Sequence, residues 1–279
     1  MRVSVLGMGA MGSRIARRVA AAGHELRVWS RSDVPADLAS SARPTLHDAV
    51  LEADVVLAMV TDDDASRAVW SGASGALAGM RDRALAIECS TLTPDWVTEL
   101  AASARDRGVR FLDAPVVGSR PQAEQGALVV LASGDAADVE SARAVFSSFA
   151  SAVHSMGATP RATIAKLATN ALFAAQVAVL GELLAAVADQ GIEPAAMLEL
   201  LGALPVLSPA ARGAGLAMVA ERFEPMFPVA LVAKDLRYAL RSKSRDMPVI
   251  DCVRERYERA VASGLGEENI TAVAKLSRA

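Results

Sequence analysis

The feature that most constrains this chain lies in its first thirty residues, where positions 2–31 read RVSVLGMGAMGSRIARRVAAAGHELRVWSR. Val3, Val5 and Leu6 form a short strand pattern, and GMGAMG follows at once, with Gly7, Gly9 and Gly12 in G-x-G-x-x-G spacing. A helical pattern then runs to about Ala22, Gly23 caps it, and Glu25–Trp29 reads as a second strand. This order of strand, glycine turn, helix and strand predicts a dinucleotide-binding α/β unit. Each glycine has a physical task. Gly7 permits the tight turn out of the strand, Gly9 lets the backbone approach a pyrophosphate, and Gly12 lets the helix pack closely on the sheet. The helix N-terminus offers unpaired N–H groups to the phosphates, so Met8, Ala10 and Met11 complete the expected cofactor-binding turn.

The end of the second strand distinguishes the dinucleotides. A site for NAD usually places an acidic residue there to hold the ribose hydroxyls. This chain has Ser30, Arg31 and Ser32 instead. Arg31 suits a charge-assisted bond to a 2′-phosphate and the serines can donate to it, which predicts NADP (NADPH) rather than NAD. Asp33 stands close by and opposes this charge. Met59, Val60 and Thr61 end the buried-strand pattern Asp54–Val60 at the edge where such sheets face a nucleotide, a position that fits either covering the adenosine or filling core.

Further strands read at Ala84–Glu88, Val109–Asp113 and Leu128–Ala132, with Thr61 or Asp62 capping a helix and Pro94 opening another that reaches about Arg107. The stretch SGASGALAGM carries a loop. After about Val153 the strand signals stop, and Ala162–Gln190 is one helical pattern. Later helical stretches are Pro194–Leu201, Pro209–Ala220, Val229–Ser242, Pro248–Ser263 and Glu267–Leu276. The expectation is a Rossmann-like α/β domain over residues 1–160 and an all-helical domain over 161–279, joined by a long helix.

Composition narrows the chemistry. With 29 Lys and Arg against 32 Asp and Glu, the net charge of −3 argues against a nucleic-acid footprint. His24, His47, His154, Cys89 and Cys252 are scattered without metal-ligand spacing, so no metal site is expected. No export signal stands at the N-terminus, and the most apolar stretch is interrupted by Gln176 and Glu182. These features predict a soluble cytoplasmic protein. The chain has 58 alanines, and its surplus apolar content concentrates in Ala162–Ala188 and the helices after it, where small side chains suit close helix packing or a subunit interface.

One more group stands out. Lys166 and Asn170 are four residues apart and share a helix face inside the apolar pattern IAKLATNALFAAQ. An ammonium within reach of a carbonyl can stabilise the negative charge that hydride addition creates and then supply a proton. A lysine snorkelling from a half-buried helix, beside a locally bonded asparagine, would leave the same trace.

GMGAMG at 7–12, CST with Pro94 at 89–94, DAPVVGSRPQAEQGAL at 113–128, GATPRATIAKLATN at 157–170 and AKDLRYAL at 233–240 together resemble the β-hydroxyacid dehydrogenases. This group contains 3-hydroxyisobutyrate dehydrogenase and the NADPH-dependent glyoxylate/succinic semialdehyde reductases. The resemblance covers essentially the whole chain. It implies a 6-phosphogluconate dehydrogenase-like architecture with an active-site cleft between the domains, and a homodimer or higher homo-oligomer. It also implies that Lys166 is the proton donor and acceptor, that Asn170 positions it or the substrate, and that Thr91 and Lys234 lie near the nicotinamide, with Asp235 the acidic neighbour of Lys234.

In the same family the segment at 113–119 grips a substrate carboxylate, here through Gly118 and Ser119. The family serine is replaced by Val117, which cannot donate a hydrogen bond, although the Gly118 and Ser119 N–H groups remain donors. Ser119, Pro121, Ala123 and Glu124 match the glyoxylate/succinic semialdehyde reductase subgroup. Val117 and the Ser133–Gly134 pair look instead like the imine reductases, which usually carry Asp or Tyr where this chain has Lys166. The implied activity is NADPH-dependent reduction of a small aldehyde or keto acid. An imine or a bulkier carbonyl is the alternative substrate, and a redox-silent NADP-binding interaction protein is the alternative of another class.

Overall fold

The structure, a computed structural model, describes residues 1–241 and 245–277. It divides into two compact units, Met1–Lys166 and Leu167–Ala279. The boundary falls six residues beyond that expected at 160, inside a helix rather than ahead of it.

The first unit is built on an eight-stranded sheet of β1 (Arg2–Leu6), β2 (Glu25–Trp29), β3 (Val55–Ala58), β4 (Leu85–Glu88), β5 (Arg110–Asp113), β6 (Val116–Val117), β7 (Leu128–Gly134) and β8 (Ala150–Gly157). The strand order is β2-β1-β3-β4-β5-β7-β6, with β8 also paired to β7. Strands β1 to β5 run parallel, and β7 is antiparallel to β5 and β6. Val55 and Leu57 enter one core while Val56 and Ala58 enter another. A parallel strand covered on both faces needs a continuous apolar run, which is why this sequence shows no alternation.

Helices α1 (Gly12–Ala21), α2 (Leu46–Val50), α3 (Asp63–Trp70), α4 (Ala76–Gly79), α5 (Pro94–Arg105), α6 (Arg120–Gln125) and α7 (Ala136–Phe146) complete the unit. Asp62 caps α3 by accepting from the Ala65 N–H at 2.8 Å, and Thr93 caps α5, with Pro94 in its first turn. The stretch expected to carry a loop does so and then enters α4, whose Ala76 and Leu77 are buried. One expectation is corrected: strand pairing continues past Val153, because β8 lies parallel to β7 as far as Gly157.

Helix α8 (Arg161–Ala188) runs through the boundary. By length and composition it could cross a membrane. Its Ala171, Ala174, Val177, Leu180 and Leu184 instead supply the core of the second unit. Around them stand α9 (Pro194–Ala203), α10 (Pro209–Val219), α11 (Val229–Arg241) and α12 (Pro248–Ala260), three of them opening on proline, where the missing N–H is harmless. The expected extension of α11 to Ser242 ends outside the described residues. Tyr257 is fully buried and donates its hydroxyl to the Ala174 carbonyl at 3.2 Å. Packing is close where glycine permits it: a Cβ on Gly215 would lie 2.6 Å from Leu198. After α12 the chain bends through Val261–Leu265, and the helix expected over Glu267–Leu276 is a run of 3₁₀ turns, Ile270–Ser277.

Candidate functional site

The expected cofactor residues of the first unit follow the C-terminal ends of β1, β2, β3 and β4, which are neighbours in the sheet, whereas Lys234 lies in α11 of the second unit. In open α/β sheets this edge is where ligands bind. Gly7 leaves β1 with φ +94° and donates to the Trp29 carbonyl at 2.8 Å. A Cβ on Gly7 would lie 2.3 Å from the Met59 carbonyl oxygen, and one on Gly12 only 1.9 Å from that of Gly7. Gly9 differs from both: a Cβ there meets nothing within 4 Å. Among the described residues no group accepts from the N–H of Gly9, Ala10 or Met11. Three orphaned donors at a helix start, with a glycine facing open space, fit a pyrophosphate.

Ser30 stands behind this turn. Its hydroxyl accepts from the Met8 N–H at 3.5 Å and lies 3.1 Å from the Ser32 hydroxyl. Arg31 is exposed, and among the described residues no carboxylate lies within ion-pair distance of it. Met59 and Val60 are half-buried and Thr61 exposed. The Val60 N–H donates to the Ser90 hydroxyl at 2.8 Å, and Asp63 accepts from both the N–H and the hydroxyl of Thr93. These bonds tie the loop holding Met59–Thr61 to the one holding Thr91, which is half-buried.

Beneath the two loops lies a residue that sequence reasoning passed over. Glu88, the last residue of β4, is fully buried and accepts from Ser66 (2.7 Å), Trp70 (2.8 Å) and the Ser90 N–H (2.9 Å). Burial pushes its carboxyl above the ordinary range, and those hydrogen bonds oppose the rise. An acid closing an otherwise apolar strand was the available signal.

In the segment after β5, Val117 is half-buried and paired with Val129, and Gly118 has φ +121°. Ser119 caps α6 in a capping box with Gln122, whose side chain takes the Ser119 N–H at 3.0 Å. This corrects the expectation that the Ser119 N–H is left for a ligand. The Gly118 N–H donates to no described group and is the backbone donor that remains.

Lys166 lies in the second turn of α8 and is 8% exposed. Asn170, one turn further on, is equally buried, and its Nδ2 donates to Asp235 at 2.6 Å. The other oxygen of Asp235 pairs with Lys234 at 3.0 Å, and the Lys234 ammonium lies 4.8 Å from the Tyr238 ring centre. Lys234 is therefore a buried lysine in a polar cluster. The second unit holds Asn170, Lys234 and Asp235 together, and the first holds the glycine turn, Ser30–Ser32, Met59–Thr61, Thr91, Val117–Ser119 and Lys166.

The chain is similar to known proteins along its whole length. An uncharacterised oxidoreductase of Bacillus subtilis, YfjR, is 31% identical over 99% of both chains. Glyoxylate/succinic semialdehyde reductase 2 of Arabidopsis thaliana is 26% identical over 99% of this chain and 79% of its own. The chain spans only half the length of another relative, the cytokine-like nuclear factor N-PAC of Pongo abelii, at 30% identity. Among solved structures, 3-hydroxyisobutyrate dehydrogenase of Mycobacterium tuberculosis superposes with a TM-score of 0.91 at 24% identity, covering 100% of this chain and 99% of that one. An imine reductase of Streptomyces aurantiacus shares the fold at a TM-score of 0.64 and 18% identity, with 99% of each chain covered. Residues 2–157 match the NAD-binding domain of 6-phosphogluconate dehydrogenase, and residues 161–277 the NAD-binding domain of NADP-dependent 3-hydroxyisobutyrate dehydrogenase. With both halves matched in that order, the chain belongs to the family of NAD(P)-binding oxidoreductases that these two enzymes define.

Proposed function

We propose that this oxidoreductase uses NADPH to reduce the carbonyl of a small acid-bearing aldehyde or keto compound, reversibly, with Lys166 as its catalytic acid and base. The observation that carries this reading is the buried lysine at 166, one helical turn from an asparagine already oriented by Asp235. The cofactor, when bound, supplies the hydride. On the first unit, Gly7–Gly12 hold its pyrophosphate, Ser30–Ser32 its ribose phosphate, and Met59–Thr61 and Thr91 line the rest of its site. The Lys166 ammonium stabilises the oxygen as negative charge develops there and then gives it a proton. With its Nδ2 committed to Asp235, Asn170 keeps Oδ1 as an acceptor on the face that carries Lys166, and so acts as a positioning residue.

The Gly118 N–H and the Ser119 hydroxyl hold the substrate carboxylate. With Val117 in place of a hydroxyl donor and the Ser119 N–H used by Gln122, that grip is thin. This favours a second reading, reduction of an imine or a less polar carbonyl. NADPH consumption measured against glyoxylate, succinic semialdehyde and a cyclic imine separates the two. Turnover of the acids supports the first, turnover of the imine alone supports the second, and cofactor binding without turnover favours a redox-silent protein.

Removing the Arg31 guanidinium should weaken NADPH selectively. A charge-assisted bond contributes about 1.5–3 kcal/mol, so Arg31→Ala should lose about 10- to 100-fold in NADPH affinity and less than about twofold in NADH affinity. Equal losses, read by fluorescence titration, would remove the assignment to the 2′-phosphate.

We further place the enzyme in the cytoplasm as a homodimer or higher homo-oligomer. Leu172, Val179 and Leu183 are 62%, 52% and 47% exposed along one stripe of α8, which suits a second copy. Light scattering should give a mass above that of the 29.0 kDa chain, and a monomer would overturn this.

A further inference from the structure

Asp113 closes β5 with its carboxylate set against the start of α8. Strands β5 and β7 pair with Asp113 opposite Ser133, and both residues are fully buried. The Asp113 Oδ2 accepts from the Ser133 hydroxyl at 2.8 Å and from the Thr163 N–H at 2.9 Å, while Oδ1 accepts from the Thr163 hydroxyl at 2.7 Å. The Ser133 oxygen in turn accepts from the Ala162 N–H at 3.2 Å. The first N–H groups of any helix lack internal acceptors, and the residue just before the helix ordinarily supplies one. Here two of them are taken by strand ends 50 and 29 residues away in sequence.

Two segments of the proposed active site start from this point. Asp113 opens the stretch that leads to Gly118 and Ser119, and Thr163 precedes Lys166 by three residues, about 4.5 Å of helix rise. We infer that Asp113, Ser133 and Thr163 form a positioning device that fixes the Lys166-bearing turn of α8 against the strand end from which the substrate segment departs. This rests on the reading of Lys166 as the acid and base. Geometry at that point matters for rate, because a displacement of about 1 Å can cost a reaction about 100-fold. Burial pushes the Asp113 carboxyl above its ordinary range, and the Thr163 and Ser133 bonds oppose that rise, so the donors also determine how readily this group stays ionised.

The test compares Thr163→Val, which keeps the shape and removes the hydroxyl, with Thr163→Ser, which keeps the hydroxyl. Asp113→Asn and Lys166→Met are measured beside them. The readouts are kcat with the best substrate of the panel, the Kd for NADPH and Tm. Thr163→Val and Asp113→Asn should lower kcat about 10- to 100-fold with the NADPH Kd within about twofold of wild type, and Thr163→Ser should retain most of the rate. A fall in Tm with kcat unchanged would reduce the cluster to an ordinary helix cap and overturn the inference. Unchanged kcat in Thr163→Val and Asp113→Asn, with Lys166→Met inactive, would overturn it while leaving the Lys166 reading intact. An active Lys166→Met would overturn both.

Discussion

Replacing Lys166 by methionine should lower the rate of carbonyl reduction by about 100- to 10,000-fold while NADPH binds as before. Methionine keeps an unbranched apolar stem of similar length in a position that is only 8% exposed, so a packing defect should not account for the loss. Lys166→Arg should not restore the rate, since a guanidinium holds its proton too tightly to act as an acid and base at neutral pH. Stopped-flow measurement of NADPH oxidation, with a parallel fluorescence titration, reads both quantities. Turnover within tenfold of wild type in the methionine variant would mean that another group supplies the proton.

The second large effect separates glycines that the motif treats alike. In Gly12→Ala the new Cβ would stand 1.9 Å from the Gly7 carbonyl oxygen, a backbone atom with little room to move. Tm should fall by several degrees and NADPH binding should be lost, because overpacking of this kind costs about 1–3 kcal/mol and displaces the turn itself. In Gly9→Ala the Cβ enters open space, so the ligand-free protein should melt at the wild-type temperature. Its NADPH affinity should nevertheless drop at least about tenfold, equivalent to about 1.4 kcal/mol, because the methyl occupies the approach to the pyrophosphate. Wild-type affinity in Gly9→Ala would place the pyrophosphate elsewhere.

Much of the first unit was legible in the sequence because its physics is local. The turn between Leu6 and Gly12, the cap at Gly23 and the fully buried run in β3 each declare themselves within a few residues. Strand β8 does not. Its ASAVHSMG carries exposed Ser151, His154 and Ser155 and shows neither alternation nor a continuous apolar run, so only its pairing with β7 makes it a strand. The Ser119–Gln122 capping box was legible, three residues apart, and its consequence for the Ser119 N–H follows directly from it. The partners of Asp113 and Asn170 lie 50 and 65 residues away, and no local pattern announces them. The roles of Lys166 and Asn170 were suggested by their spacing and given direction by family resemblance. The bond from Asn170 to Asp235 adds a reason for the asparagine that neither supplied.

Helix α8 also bears on how such a chain can change over time. Residues along it can be exchanged while the helix persists, as the small and apolar side chains that fill it suggest. Its count of residues is far less free. One residue inserted between Lys166 and Asn170 would turn the asparagine about 100° around the axis and move it about 1.5 Å along it, off the face that carries the lysine. A substitution elsewhere in α8 leaves that spacing as it is, whereas an insertion or deletion between Lys166 and Asn170 parts the two side chains.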